Sequence, residues 1–245
     1  MGAVLFSVLF YLCMLVTSML LFPVAVLLRA ATGFVDRRLT LLHRFTCWWA
    51  SLYTWWNPLW RVELPAAPLP PGTFVIVANH QSMVDILLLF RLRAHYKWVS
   101  KVENFRIPFI GWNMTLNRYI TIRRGTVQGT LRMMRECEAA LREGNSLMIF
   151  PEGTRSSDGS VRRFKEGAFE LAHRTGTPVL PLVIDGTAEA LPKHGIILRG
   201  RRTFRLAMLE PVPPRADGNS AALARDVEEA IRRKLEVLRA AHPHD

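Results

Sequence analysis

The sequence predicts an α/β fold, with a layered, largely parallel sheet flanked by helices and an N-terminal two-helix membrane anchor. Short apolar runs alternate with helix-period segments beyond residue 74, a pattern typical of strands joined by helical crossovers. An uncharged stretch, residues 4–28, lies close to the N-terminus. The chain has 245 residues, half of them hydrophobic, which is enough for one domain with a small appendage and excludes a disordered or fibrous protein.

The uncharged N-terminal stretch predicts a helix that enters or spans a bilayer. As a helix, residues 4–28 would be about 37 Å long, and one proline, Pro23, interrupts them. A signal peptide is the alternative, but residues 1–3 contain no basic residue and the apolar stretch is longer than a signal peptide needs. We therefore expect the stretch to remain as an anchor, which either spans the bilayer or enters it from one side.

The segment after this stretch is rich in arginine and tryptophan. Only Asp36 opposes the basic residues that follow the stretch, namely Arg29, Arg37, Arg38 and Arg44. This charge bias keeps the rest of the chain in the cytoplasm, and we expect the membrane to be the bacterial inner membrane. Five of the seven tryptophans lie within residues 48–60, which suits the lipid headgroup layer, although a tryptophan-rich soluble core is the alternative. Residues 1–63 form the predicted anchor.

A turn-rich linker, residues 64–73, separates the anchor from a second predicted domain, residues 74–245. Strands are predicted over residues 74–78, 97–100, 119–122, 147–150, 179–184 and 204–208. Apolar residues at helical spacing predict helices over residues 126–142 and about 220–240. Open α/β sheets place their sites in the loops that follow the carboxyl ends of strands, so candidate residues are expected there.

The charge of the chain favours a polyanionic partner. Thirty-two Lys and Arg against twenty Asp and Glu leave +12, which suits nucleic acid, an anionic membrane surface or phosphorylated substrates. Basic runs over residues 91–135 and 192–209 could bind anionic lipid or the phosphates of a substrate. A membrane-tethered nucleic-acid binder is an alternative. No nucleic-acid motif is recognised, however, and the tryptophans lie beside the anchor, so we expect no nucleic-acid partner.

The cysteines of the chain exclude two kinds of site. Cys13, Cys47 and Cys137 are odd in number and far apart, which predicts neither a disulfide framework nor a zinc cluster. We therefore expect a reducing compartment.

The first candidate site follows the predicted strand 74–78, where residues 79–85 are N-H-Q-S-M-V-D. His80 would begin a helix and Asp85 would lie one turn into it. The carboxylate could then hold one imidazole nitrogen protonated and leave the other free as a base. No Gly-x-Ser-x-Gly elbow accompanies them, so the base would act on a hydroxyl of the substrate. A helix-capping residue and a surface histidine are the alternative interpretation.

The second candidate site is the run F-P-E-G-T-R-S at residues 150–156, after the predicted strand 147–150. Gly153 permits an unusual backbone conformation or the close approach of a ligand. Glu152 and Arg155 could form hydrogen bonds to a hydroxylated, anionic substrate. The alternative is an ordinary turn with an ion pair.

Together these segments resemble conserved blocks of the glycerolipid acyltransferases. The two candidate sites are similar to the N-H-x4-D and F-P-E-G-T-R-S blocks of that family, about 65 residues apart, and most resemble the 1-acyl-sn-glycerol-3-phosphate acyltransferase branch. Residues 101–123 resemble its segment from a Lys-x-Glu element to a strand that ends in arginine, and residues 179–184 its proline-centred block. The match covers roughly residues 74–210. Where the family often has glycine before the arginine-bearing strand, this chain has Asn117, which also tolerates a left-handed backbone.

The resemblance implies a membrane-bound O-acyltransferase that needs no cofactor and no metal. Its donor would be an acyl-CoA or acyl carrier protein thioester, its acceptor the free hydroxyl of 1-acyl-sn-glycerol-3-phosphate, and its product phosphatidic acid. The alternatives are an acyltransferase for another lyso-lipid, such as lysophosphatidylcholine or a lyso-amino-acid lipid, and a non-catalytic lipid-binding protein on the same fold. We expect the acyl tunnel to open beside residues 48–60, with His80 at the level of the lipid headgroups.

The resemblance also assigns roles to single residues. His80 takes the proton of the acceptor hydroxyl, which attacks the thioester directly and without an acyl-enzyme. Asp85 orients His80 and stabilises its imidazolium. The other implied substrate-binding residues receive the phosphate (Lys101, Arg123 and Arg155) or lie at the turn that positions the glycerol and the oxyanion (Glu152, Gly153 and Thr154).

Overall fold

The computed structural model describes residues 2–242 as one sheet between helices. The helices are α1 (Gly2–Thr32), α2 (Thr40–Trp55), α3 (Val84–Phe90), α4 (Ile110–Leu116), α5 (Val127–Arg142), α6 (Gly167–Thr175), α7 (Thr187–Ala190) and α8 (Ser220–Ala241), with a 3₁₀ turn at Val102–Arg106. The strands are β1 (Trp60–Glu63), β2 (Val75–Ala78), β3 (Tyr96–Lys101), β4 (Ile120–Ile122), β5 (Ser146–Ile149), β6 (Val179–Asp185) and β7 (Arg202–Met208).

The sheet is largely parallel, as predicted. Its strand order is β1-β7-β6-β2-β5-β3-β4. The five strands from β6 to β4 are parallel to one another, β7 is antiparallel to β6, and β1 is parallel to β7. The carboxyl ends of β6, β2, β5, β3 and β4 therefore meet at one edge, which brings the loops of both candidate sites together.

Strand β1 was not predicted, and it lies within the segment that the sequence assigns to the anchor. Trp60 is buried at its start, where its ring lies 5.1 Å from the ring of Phe204 on β7. Four residues of strand beside a run of tryptophans give too short a pattern to identify. Part of the tryptophan-rich segment is therefore core, since Trp49 is buried as well, whereas Trp48, Trp55 and Trp56 are exposed.

The side chains of the central strands divide between two apolar layers. On β2, Ile76 and Ala78 face the layer that contains α2 and α3, and Val75 and Val77 face the layer that contains α5, α6 and α8. This alternation follows from the two-residue period of a strand. All four β2 side chains are fully buried, which explains why the strand is a continuous apolar run.

Helix α1 lies along the same side of the sheet as α2. Its buried residues form one stripe, Ser7, Phe10, Ser18 and Ala25, and most of its other apolar side chains are exposed. With a mean hydropathy of 2.4 over its most apolar window, α1 is the single helix among residues 2–242 that is long and apolar enough to cross a membrane.

Helix α2, the second helix of the predicted anchor, is packed into the folded domain. Nine of its 16 residues are buried. His43 is fully buried and bonds Tyr119 Oη through Nδ1 at 2.7 Å and the Ala94 carbonyl through Nε2 at 2.9 Å. Burial lowers the pKa of His43 to about 3, so this histidine is a neutral structural link between α2 and the sheet.

Candidate active site

His80 and Asp85 form a hydrogen-bonded pair at the carboxyl end of β2. His80 Nδ1 lies 2.8 Å from Asp85 Oδ2, because α3 begins at Val84 and places Asp85 in its first turn. Asp85 is fully buried, whereas the His80 side chain keeps 13% of its surface exposed. His80 Nε2 makes no hydrogen bond within residues 2–242, so it is the ring nitrogen open to a substrate.

The carboxylate of Asp85 is held on both oxygens. Oδ2 also accepts the backbone N–H groups of Gln81 at 2.7 Å and Ser82 at 2.9 Å. Oδ1 accepts the hydroxyl of Thr187, which is itself fully buried. A carboxylate held by this many donors cannot rotate, so it fixes the orientation of the imidazole ring.

The imidazole ring and its backbone are also fixed by neighbours. Phe150, at the end of β5, stacks on the His80 ring with centroids 3.8 Å apart and planes inclined by 8°. The His80 carbonyl accepts the N–H of Ser156 at 2.7 Å. The Asn79 side chain pairs with the backbone of Ile184 on β6, because it donates to the Ile184 carbonyl and accepts the Ile184 N–H, both at 2.8 Å.

Glu152 binds the backbone of His80. Its Oε1 accepts the His80 backbone N–H at 2.8 Å, and Oε2 is buried without a hydrogen bond of normal geometry among the described residues. The pKa of Glu152 is raised to about 8, chiefly by burial and in smaller part by nearby Asp85, and the backbone N–H groups of His80 and Arg162 oppose the shift. The residue is therefore largely protonated near neutral pH.

The turn after β5 requires its glycine. Gly153 has a φ of +70°, and a Cβ atom there would lie 3.1 Å from Lys165 Nζ. The Gly153 N–H donates to the Phe150 carbonyl at 3.0 Å, so this amide is used inside the turn. The next two N–H groups, of Thr154 and Arg155, have no partner within residues 2–242 and are the free backbone donors of the turn.

Three predicted phosphate-binding residues belong to the same sheet edge. Lys101 ends β3 and pairs with Ile122 of β4, so that Arg123 is the next residue beside it. Arg155 lies in the loop after β5, the strand next to that of His80. Lys101 and Arg123 are exposed, Arg155 is half-buried, and none has an ion pair in the described part of the chain. With strands about 4.8 Å apart, Arg123 lies three strands, roughly 14 Å, from β2.

An apolar cavity of about 160 Å³ lies between the N-terminal helices and this site. Its walls come from α1, α2, α3, β3 and α4, and they include Met83, three residues beyond His80. Trp98 links the cavity to the site, since it lines the cavity and its ring lies 5.6 Å from that of Phe150. Trp49 and Tyr53 also line it, so the cavity borders the tryptophan-rich segment.

The structure corrects one detail of the sequence prediction and adds one residue to the candidate site. The left-handed residue before β4 is Arg118, with a φ of +53°, and not Asn117, which caps the C-terminus of α4 and is fully buried. Thr187 was not predicted. It follows Gly186, whose φ of +82° and close approach to the Thr203 carbonyl require glycine. A Gly-Thr pair one residue beyond the predicted strand 179–184 was the available signal.

No group of three or more His, Cys, Asp or Glu side chains that could hold a metal ion occurs among residues 2–242. The polar groups of the site are thus an acid–base pair, free backbone donors and unpaired cations. This set suits proton transfer to and from a hydroxyl next to an anionic group.

Comparison with known proteins shows the family of the chain. The model of the Acyltransferase family matches residues 64–185. A 1-acyl-sn-glycerol-3-phosphate acyltransferase of Chlamydomonas reinhardtii is 40% identical over 147 residues, which cover 59% of this chain and 44% of that protein. A lyso-ornithine lipid O-acyltransferase of Pseudomonas aeruginosa is 33% identical over 210 residues, 80% of each chain. The chain spans about half the length of several of the curated relatives it matches.

A solved structure has the same fold over almost the whole chain. The crystal structure of the 1-acyl-sn-glycerophosphate (LPA) acyltransferase PlsC from Thermotoga maritima has a TM-score of 0.81 and 27% identity, and the match covers 98% of this chain and 97% of that one. This agreement includes the N-terminal helices as well as the sheet. The chain therefore belongs to the glycerolipid acyltransferase family that contains the 1-acyl-sn-glycerol-3-phosphate acyltransferases.

Proposed function

We propose that the protein is a membrane-bound O-acyltransferase that converts 1-acyl-sn-glycerol-3-phosphate to phosphatidic acid with a fatty acyl thioester. The observation that carries the proposal is the His80–Asp85 pair, with Nδ1 held by the carboxylate at 2.8 Å and Nε2 open. The family relationship supports the reaction class, and several relatives carry this activity in their names.

In the proposed reaction His80 Nε2 takes the proton of the acceptor hydroxyl while the hydroxyl oxygen attacks the thioester carbonyl. The tetrahedral intermediate then collapses, the C–S bond breaks, and the leaving thiolate takes the proton back from His80. Asp85 stabilises the imidazolium between the two steps, which is why its complete burial and three backbone or hydroxyl donors matter. General acid–base catalysis of this kind contributes about 10²–10⁴-fold.

The oxyanion of the intermediate needs N–H donors that the fold leaves free. The N–H groups of Thr154 and Arg155 meet this requirement, since the Gly153 amide is used inside its turn. We assign the oxyanion to this turn, next to the Phe150 ring that stacks on His80.

The acceptor phosphate requires cations without other partners. Arg155 lies nearest in the strand order, and Lys101 and Arg123 extend the basic edge beyond it. Arginine binds phosphate through two parallel hydrogen bonds, so Arg155 and Arg123 are the residues expected to discriminate a phosphate headgroup.

The apolar cavity would hold an acyl chain. Met83, just before α3, is the lining residue nearest to His80 in the chain, and residues of α1 and α2 form other walls. Each CH₂ group that is kept from water in such a cavity contributes about 0.8 kcal/mol, so its apolar lining would stabilise a bound acyl chain.

The membrane attachment that we propose is one-sided, with the catalytic domain on the cytoplasmic side. Contacts with the folded domain extend along α1 from Ser7, which accepts the Leu198 N–H, to Leu28, which packs against the buried cluster that contains Leu39 and Leu42. That is about 32 Å of helix. A spanning α1 would carry parts of the sheet domain through the bilayer, so α1 enters one leaflet with its exposed apolar face.

A second candidate acceptor is favoured by one relative. The Pseudomonas aeruginosa lyso-ornithine lipid O-acyltransferase matches 80% of the chain, a greater share than the Chlamydomonas enzyme matches. An ornithine headgroup carries a carboxylate and an amine. The cations of the sheet edge would then bind that carboxylate.

Acyl transfer by the full-length protein in phospholipid vesicles tests the proposal. Lysophosphatidic acid, lyso-ornithine lipid and lysophosphatidylcholine are compared, each with acyl-CoA and with acyl carrier protein thioester, and His80→Ala serves as control. We expect phosphatidic acid to form fastest and the control to be slower by about 10²–10⁴-fold. Faster formation of ornithine lipid would support the second candidate, and no transfer to any lyso-lipid would refute both.

A further inference from the structure

The loop between α7 and β7, residues 191–201, holds two isoleucines out in solvent. Ile196 is 77% exposed and Ile197 is 42% exposed. The loop is nevertheless fixed, because the Gly195 N–H donates to the Pro192 carbonyl and the Arg199 N–H donates to the Ala190 carbonyl, at 3.0 and 2.8 Å. A rigid loop that exposes large apolar side chains indicates a contact surface.

The α7–β7 loop is fastened to α1. Tyr11 donates its hydroxyl to the Ile196 carbonyl at 2.9 Å, and the Leu198 N–H donates to Ser7 Oγ at 2.8 Å. The helical neighbours of Tyr11 are exposed and apolar, since Val8, Leu12 and Leu15 each expose more than half of their surface. Ile196 therefore continues the exposed apolar face of α1.

Positive charge surrounds the two isoleucines. Arg199 and Arg201 are exposed, and neither has an ion pair in the described part of the chain. Lys193 is half-buried, and residues 191–201 contain no acidic side chain. Apolar side chains flanked by free arginines are complementary to a bilayer with anionic headgroups.

The other end of the α7–β7 loop reaches the candidate active site. Ser82, in the loop of the acid–base pair, donates its hydroxyl to the Leu191 carbonyl at 2.7 Å. Residues 191–198 thus join the wall of the site to the N-terminal half of α1.

We propose that the α7–β7 loop is a second membrane-contacting element, in which Ile196 and Ile197 enter the acyl boundary and Arg199 and Arg201 bind the phosphates of anionic phospholipids. This inference rests on the proposed membrane-bound function. The loop then forms a rim of the active site at the level of the lipids, and none of its residues lines the apolar cavity.

Quenching of a fluorophore by nitroxide-labelled acyl chains tests the contact. The experiment uses the full-length protein with Cys13→Ala, because the two other cysteines are buried. An environment-sensitive dye is attached to the new thiol of Ile196→Cys. The matched control is Val237→Cys on α8, 59% exposed and on the opposite layer of the sheet, and Leu12→Cys on α1 reports insertion of the anchor. The vesicles contain phosphatidylglycerol and phosphatidylethanolamine.

We expect the dye at position 196 to be quenched severalfold more strongly than at position 237 and nearly as strongly as at position 12. Equal, weak quenching at 196 and 237 with strong quenching at 12 would overturn the inference and leave the membrane-bound function intact. Weak quenching at all three positions would refute the membrane attachment itself. The acyl-transfer rate of each labelled protein shows separately whether the proposed reaction holds.

The arginines are tested with Arg199→Gln/Arg201→Gln and with Arg225→Gln, an exposed arginine of α8, as control. Each arginine near an anionic surface contributes about fivefold to binding. We therefore expect the double variant to lose most of the native protein's preference for phosphatidylglycerol vesicles over phosphatidylcholine vesicles. A preference equal to that of the control would refute headgroup binding by the loop.

Discussion

The acid–base pair and the cations at the same edge of the sheet differ in how many interaction partners the rest of the fold provides. His80 and Asp85 have donors on both carboxylate oxygens, a stacked ring and a fixed backbone. Lys101, Arg123 and Arg155 lie at the ends of neighbouring strands or just beyond them, and none has an ion pair in the described part of the chain.

In the proposed function, this difference suits the two groups to different tasks. A general base acts best when its orientation is fixed before the substrate arrives, because reorientation adds to the barrier. A cation that receives phosphate must be free beforehand, since an internal ion pair would compete with the substrate. Changes in the first group should therefore lower kcat, and changes in the second should raise KM for the acceptor.

The largest loss is expected for His80→Ala. Without the base, turnover should fall by about 10²–10⁴-fold with little change in the KM for either substrate. Steady-state kinetics in vesicles measure this, and His173→Ala, an exposed histidine on α6, is the control. Turnover within a few-fold of the control would remove His80 from the mechanism.

A loss of about 10²-fold is expected for Asp85→Asn. The amide of Asn carries no charge to stabilise the imidazolium. Its NH₂ group also favours the His80 tautomer with the proton on Nε2, and a protonated Nε2 has no lone pair to take the proton of the lyso-lipid hydroxyl. Turnover as a function of pH measures it. If the variant retained both the rate and the pH profile of the native enzyme, Asp85 would have no part in orienting the base.

For the cations, we expect Arg155→Ala to raise the KM for lysophosphatidic acid about tenfold, and Arg123→Ala to raise it somewhat less. Both changes should leave the KM for acyl-CoA within about twofold, because only the acceptor phosphate is lost as a partner. Initial rates at varied acceptor and varied donor concentrations separate the two effects. Equal increases for both substrates would place these arginines on the donor side.

A several-fold loss of kcat is expected for Thr187→Val, which removes the hydroxyl bonded to Asp85 Oδ1 at nearly constant volume. Thr187→Ser keeps the hydroxyl and should restore kcat, whereas a merely structural role would leave the serine variant impaired. The pH dependence of kcat should shift in the valine variant alone. Unchanged kcat in Thr187→Val would show that the Asp85 carboxylate needs no third donor.

The smallest effect concerns stability and Glu152. Its pKa of about 8 lies above the ordinary value of 4.5, so between these values the folded state binds one more proton than the unfolded state and stability falls as pH rises. Glu152→Gln should remove this slope, which is about 1.4 kcal/mol per pH unit at most. Tm measured from pH 5 to pH 8 tests it. Parallel curves for the two proteins would contradict the raised pKa.

The parallel sheet and the contact between His80 and Asp85 could be predicted from the sequence because their patterns are local. The apolar runs of β2 and β6 are continuous since both faces are buried, and the N-H-x4-D spacing places Asp85 one helical turn from His80. The contacts that could not be predicted join distant segments. The Thr187–Asp85 bond spans 102 residues and the pairing of β1 with β7 spans more than 140, and no local pattern specifies either.

The central claim is that His80 and Asp85 act together as one general base whose orientation is fixed before the substrate binds. A double-mutant cycle tests this claim most directly. The kcat of the native enzyme, His80→Ala, Asp85→Asn and the double variant is measured with lysophosphatidic acid and acyl-CoA in vesicles. If the pair acts as a unit, Asp85→Asn should cost about 10²-fold in the native background and nearly nothing once His80 is alanine. Losses that multiply in the double variant would show two independent functions and contradict the account.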